Sequence, residues 1–264
     1  KSAVQVLELC YNHSIVNNTR QDIKMNFAID EIVSIKKVNV NSARYDITVE
    51  HNHNFFANGI LVHNCQNLIQ EIEVDNRGQE FEMSVKLDGS SMTVYRFDRA
   101  TDKMGEVFTD FGVCSRNYNL RESEKNSLWR VARKNRMLEA LEFLGRNLAF
   151  QGEIIGEGIQ GNNEELKGQD FYMFDIYDID NQKYLAPDER QEIVKVLSEN
   201  GFIIKHVPVI GNIVLNHSVD EILAMADGQS LNNANREGLV FKRIDGQFSF
   251  KAISNWYLEK HQNR

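Results

Sequence analysis

Lys86-Leu87-Asp88-Gly89-Ser90-Ser91 closes one alternating run and opens another, and the reading of the whole chain turns on it. Upstream, Met83, Val85 and Leu87 fall on one face of a strand, and Glu82, Ser84 and Lys86 on the other. Met92 to Phe97 reads as the next strand, with Asp88 to Ser91 as the turn between them. A lysine amine attacks only when its proton affinity is lowered, which neighbouring cations or desolvation can do. Gly89 leaves room for the backbone to approach a nucleotide. Alone, this stretch reads equally well as a surface hairpin.

Downstream, further pieces follow in order. Gln151-Gly152-Glu153 sits on a strand predicted over 149–155, followed by Gly156. Phe171-Tyr172-Met173-Phe174-Asp175-Ile176 begins an aromatic strand predicted over 171–178. Glu237-Gly238-Leu239-Val240-Phe241-Lys242 brings an acid and a base to one strand (238–244), and Phe250-Lys251-Ala252-Ile253 lies on the last (248–253). Phosphoryl transfer from ATP asks for these types: cations around phosphates, carboxylates for a divalent metal, an aromatic face for the base. Phe174 could equally be core, whereas Lys86, Glu153, Glu237, Lys242 and Lys251 are charges on strands, where burial without a partner is costly. Apolar spacing predicts a helix over 126–144, a short helix after Asp188 that stops before Gly201, and one starting at Ser218 with Glu221 as its capping partner.

Composition sets the bounds. The chain has 264 residues, 42% of them hydrophobic, enough for one good core or two modest ones. A net charge of −8 gives no global attraction to nucleic acid, so any such contact needs a local patch. Arg116, Arg121, Lys125, Arg130, Arg133, Lys134 and Arg136 form one candidate, readable also as a solvated helix face. Cys10, Cys65 and Cys114 make neither a disulfide framework nor a zinc pattern, and a cytoplasmic, reducing setting is expected. No run of about 18 apolar residues calls for a membrane. Lys1 in place of an initiator Met suggests a piece of a longer chain.

The ordered series from Cys65 to the end resembles the covalent nucleotidyltransferase superfamily of ligases and capping enzymes, and within it ATP-dependent RNA ligases that seal nicks. Ser91 stands where DNA ligases and capping enzymes carry arginine; Cys114-Ser115-Arg116-Asn117 and the stretch from Gln151 to Asn162 fit the RNA-sealing branch. The resemblance implies an α+β (α/β) ATP-grasp-like ligase domain over 65–264, with antiparallel sheets and flanking helices. It implies Lys86 as the residue that forms lysyl-AMP, with Asp88 and Glu153 on the ribose or behind the metal. Arg116 would steer phosphate, Phe174 stack on adenine, Glu237 hold metal beside Glu153, and Lys242 and Lys251 contact the α-phosphate, with Gly89 in the nucleotide pocket. ATP and Mg2+ or Mn2+ are the implied cofactors, and RNA with a 5′-phosphate and a 3′-hydroxyl, as a nicked duplex, the implied partner. In some relatives the last motif carries a second lysine where this chain has Ile253.

Before Cys65 the chain changes character. β-like runs are predicted at 32–40, 45–49 and 55–62. Asp46-Ile47-Thr48-Val49, His53 and Asn58 to Cys65, ending His63-Asn64-Cys65, resemble the close of an intein, clear from about residue 29. This implies a small all-β partial intein (Hint) segment over 1–64. Asn64 would cyclise onto its own carbonyl, His63 and His53 would move protons, and the Cys65 thiol would accept an acyl group, with Asp46 in the same set. Residues 1–28 carry no readable motif. The implied partners are an amino-terminal intein half and an upstream host OB-like domain. Two rivals to the ligase stay open: an autoprocessing module with an inactive or incomplete ligase host, and a nucleotide- or RNA-binding relative without catalysis.

Overall fold

The computed structural model describes residues 7–9, 54–57, 60–63, 71–100 and 106–261, and the chain divides into two units. The larger unit contains β1 (Leu7–Leu9) and everything described from residue 71 onward; the smaller contains β2 (Asn54–Ala57) and β3 (Ile60–His63). In the smaller unit, the single run expected over 55–62 is an antiparallel hairpin with Ala57 opposite Ile60. Asn58-Gly59 between the strands is the dipeptide that tight hairpins favour.

In the larger unit a short π-helix (Glu71–Asp75) leads into β4 (Glu80–Lys86), β5 (Ser90–Ala100), β6 (Val107–Ser115) and β7 (Asn119–Leu120). Helices α1 (Ser127–Lys134) and α2 (Met137–Leu144) precede β8 (Leu148–Gly156), β9 (Gln169–Asp178) and β10 (Lys183–Tyr184). Then come α3 (Pro187–Glu199), β11 (Val209–Val214), α4 (Val219–Met225), β12 (Gly238–Arg243), β13 (Ser249–Ile253) and α5 (Asn255–His261). The strands make a five-stranded sheet, β1-β13-β12-β4-β11, and a six-stranded sheet, β10-β9-β8-β5-β6-β7. Pairing within both is antiparallel throughout the described ladders.

β4 and β5 therefore lie in different sheets, and the expected turn between them is a crossing and not a hairpin. Burial explains why. Leu87 is 1% exposed and Asp88 7%, and a Cβ on Gly89 would stand 2.6 Å from the Ile154 carbonyl oxygen. Only glycine passes that close to β8 without displacing it.

Three apolar clusters hold the layers. Trp129, Ala132, Met137 and Leu141 of α1 and α2, with Leu197 of α3, pack on Phe150, Ile154, Phe171 and Ile176 of the six-stranded sheet. Phe81, Leu239, Phe241 and Phe250 pack on Ile222 and Leu223 of α4. A smaller cluster, Val85, Leu87, Ile155, Tyr172 and Val207, takes residues from both sheets, with Phe174 packed against it. Truncating a fully buried phenylalanine such as Phe150 to alanine is expected to cost about 3–5 kcal/mol.

The helix expected over 126–144 is two helices. Asn126 caps the first, its Oδ1 accepting from the Leu128 and Trp129 amides. The break comes at Asn135-Arg136: Arg136 turns left-handed at φ 51°, and the Asn135 amide donates to Asp170 Oδ1 at 2.8 Å. Tertiary contacts thus override a continuous helical pattern. α4 starts where expected, with Ser218 and Glu221 bonded reciprocally.

Candidate active site

Lys86 ends β4, and its Nζ lies 2.7 Å from Glu237 Oε1, with the two side chains 19% and 12% exposed. Glu237 precedes β12, and the next residue, Gly238, sits opposite Lys86 in the ladder. A side chain on Gly238 would collide with the Ala252 carbonyl, so glycine brings the three strands together beneath the pair. Glu153 arrives from the other sheet, on β8 between Ser91 and Tyr172. Its carboxyl is pushed up to about 7 by burial and by the nearby charges of Glu237 and Asp88, against the pull of Lys86 and Arg116. Its Oε2 is buried with no hydrogen-bond partner among the described residues. Burial also raises Glu237, although Lys86 and Lys251 oppose the shift.

Lys86, Asp88, Glu153, Glu237, Lys251 and Arg116 are thus electrostatically one group drawn from both sheets. Lys251 sits on β13 opposite Val240, and Arg116 is exposed just after β6. Phe174 is half-buried at a bulge in β9: Gln151 pairs with Asp175 and Gly152 with Met173, leaving Phe174 between. Its ring packs against the apolar cluster around Val85 and Leu87, at the foot of the lysine. The arrangement offers an amine, two acids of raised proton affinity, further cations and an apolar wall.

The described residues contain no ready-made group of three metal-ligating side chains. The donors nonetheless suit a hard divalent cation, because a buried carboxylate oxygen without a partner is the kind of group such an ion satisfies.

Lys242 is placed differently. Its ammonium donates to the Phe174 carbonyl at 2.9 Å and pairs with Asp175, inside a buried network that the sequence reading did not include. Arg190 of α3, wholly buried, pairs with Glu82; Gln191 donates to the other Glu82 oxygen at 2.8 Å; Arg190 Nε donates to His206 Nε2 at 2.9 Å. Glu82 and Asp175 were visible as charges on strands, the one signal that pointed here.

The basic run divides. Arg130 donates to the Glu124 and Lys125 carbonyls, Arg133 pairs with Glu122, Lys134 with Asp170, and Arg136 lies over the Phe202 ring. These residues belong to helices that cover the Phe150 and Ile154 face of β8, whereas Glu153 points to the other face. Of the run, Arg116 bears electrostatically on Glu153. Asp46, His53, Asn64 and Cys65 lie outside the described residues, and of His63 only its backbone, at the end of β3, is described.

A family model described as RNA ligase matches residues 79–253. None of the curated proteins compared matches. Among solved structures, a Naegleria gruberi RNA ligase mutant with ATP and Mn is 62% identical at a TM-score of 0.69, covering 75% of this chain and 55% of that one. A mutant of the same ligase with AMP and Mn is also 62% identical at 0.69, covering 75% and 56%. An apo mutant gives the same identity, score and coverage as the AMP form. This chain spans a little over half the length of those ligases.

Proposed function

This chain belongs to the RNA ligase family, and we propose that its larger unit takes up AMP from ATP on Lys86 and passes it to RNA ends for sealing. The observation that carries the reading is the Lys86–Glu237 pair facing Glu153 across the two sheets. Lys86 must shed a proton before it attacks. Glu237, 2.7 Å away, holds the ammonium in place until then, and because the Lys86 side chain is 19% exposed the proton can leave to solvent. The Nζ–phosphorus bond then forms at the α-phosphate as the bond to pyrophosphate breaks. AMP next moves to an RNA 5′-phosphate, and a 3′-hydroxyl displaces it as the strand closes.

Glu153 and Glu237 are the residues to hold Mg2+ or Mn2+, which would neutralise phosphate charge when bound. Asp88 supports the ribose, Phe174 and the Val85–Leu87 cluster cover the adenine, and Arg116, Lys242 and Lys251 attract phosphate. Support for ATP and a divalent ion comes from the similar ligases, whose solved structures hold ATP or AMP with Mn. Labelled ATP is expected to mark the chain covalently, and Lys86→Ala to abolish the mark. Label from GTP in place of ATP, or label surviving the substitution, overturns the reading.

We propose separately that the segment ending at Asn64 is an intein terminus. The support is sequence alone: His63-Asn64-Cys65 closes the stretch from Asn58 that resembles the end of an intein. Supplied with a matching amino-terminal intein half, the chain is expected to release its part from Cys65 onward, and Asn64→Ala to block this. Scission elsewhere, or none with the partner present, contradicts it.

A further inference from the structure

We infer that Arg190 is a positioning residue for AMP transfer, fixing Asp175 and through it the ammonium of Lys242. The inference rests on the function proposed above but concerns a residue remote from every motif of the sequence. Arg190 is fully buried on a helix, where an apolar side chain of similar size would pack at lower cost. What the guanidinium adds is geometry. One of its nitrogens is tied to Glu82 on β4 and Nε to His206, which hold Nη1, without a hydrogen-bond partner of its own among the described residues, 3.8 Å from Asp175 Oδ1 on β9, close enough to attract that carboxylate electrostatically. Because His206 Nε2 accepts from Arg190, its proton sits on Nδ1, which donates to the Val207 carbonyl at 2.6 Å. The imidazole is therefore neutral, in keeping with its proton affinity, pushed down to about 4 by burial and by Arg190. Glu82 with Arg190, and Asp175 with Lys242, leave the four charges balanced.

The consequence falls on Lys242. Its ammonium has three donors. One goes to the Phe174 carbonyl at the β9 bulge and one to Asp175. The remaining donor is then aimed by two fixed acceptors, and a flexible four-carbon stem behaves as a rigid one. The same network fixes the backbone of Phe174, whose ring packs beside Val85 and Leu87. In the function proposed above Lys242 attracts the transferring phosphate, and small displacements of such a group are costly in rate, about a hundredfold for 1 Å.

The test uses the full chain and two variants. Glu82→Gln with Arg190→Met removes opposite charges together, so no buried charge is stranded; Arg190→Lys keeps the charge and loses the fork. The rate of covalent AMP uptake is measured against ATP concentration, beside a thermal melt and well below every midpoint. The double variant is expected to show a saturated rate roughly 10–100-fold down with half-saturating ATP changed less than about threefold, the pattern of an interaction that tightens in the transition state. Arg190→Lys is expected to recover part of the rate. An unchanged saturated rate in either folded variant overturns the inference, whatever happens to half-saturating ATP. If the double variant does not fold, Arg190→Lys decides alone: a several-fold lower saturated rate supports the inference and a wild-type rate overturns it. A wild-type chain that takes up no AMP overturns the proposed function itself, a result distinct from either.

Discussion

Two charged clusters share one face of β4, at positions 82 and 86, and they are finished in opposite ways. Around Glu82 the charges are shut away from solvent: Arg190 is 0% exposed, Glu82 is 2% exposed, and both Glu82 oxygens accept hydrogen bonds, although Arg190 Nη1 has no hydrogen-bond partner among the described residues. Around Lys86 the side chains reach solvent, Glu153 keeps a buried oxygen without a partner, and both nearby glutamates are raised. A cluster shut away from solvent supports the fold; a cluster that reaches solvent with raised carboxyls beside an amine is open to a ligand. The contrast separates scaffold from chemistry on a single strand.

The sharpest way to break this contrast is at the nucleophile. Lys86→Arg keeps a cation beside Glu237 but offers no amine, so covalent AMP uptake is expected to fall at least about a thousandfold with the melting midpoint unmoved. Retained uptake would erase the distinction between the two ends. The next effect belongs to the closed end. Glu82→Ala strands Arg190 and is expected to cost about 3–5 kcal/mol in a denaturant melt. Lys86→Ala, at a partly solvated pair, should cost under about 1 kcal/mol. Similar costs at the two positions would show that the closed cluster is no better knit than the open one.

Glu153→Gln is expected to slow AMP uptake about a hundredfold in single-turnover assays while leaving the fold intact. The effects of pH on stability run in opposite directions. Glu153, about 7 when folded against an ordinary 4.5, binds its proton more tightly in the native state, so its stability is fully present below 4.5 and declines as pH rises to 7. His206, about 4 when folded against 6.5, contributes fully above 6.5 and loses that contribution as pH falls to 4. Each is worth about 1–3 kcal/mol after solvent screening. Urea titrations across this range should show Glu153→Gln removing the first slope and His206→Gln the second.

Much of the open end was legible. Charges at Lys86, Glu153, Glu237 and Lys251 stood out because strands rarely carry them, and the alternation along β4 put Lys86 on the face away from Val85 and Leu87. The crossing between sheets was not legible, because Asp88-Gly89 reads locally as a turn and only the approach of Ile154 shows that it is buried. Nor was the helix break at Arg136, set by Asp170 and Phe202 from distant strands and loops. β6 and β11 were missed: Val107–Ser115 is interrupted by Asp110 and Gly112, and β11 by Gly211 at a bulge. Arg190 lay on an ordinary amphipathic helix, and its partner Glu82 is 108 residues away. Local patterns cannot report a pairing of that range.

The central claim is that the open end of β4 carries the nucleophile. Its most direct test is to incubate the full chain with ATP and Mg2+ or Mn2+, digest it, and locate the added AMP by tandem mass spectrometry. The account predicts AMP on the peptide containing Lys86, attached at that lysine. AMP on Lys242 or Lys251, or on no lysine at all, would contradict it.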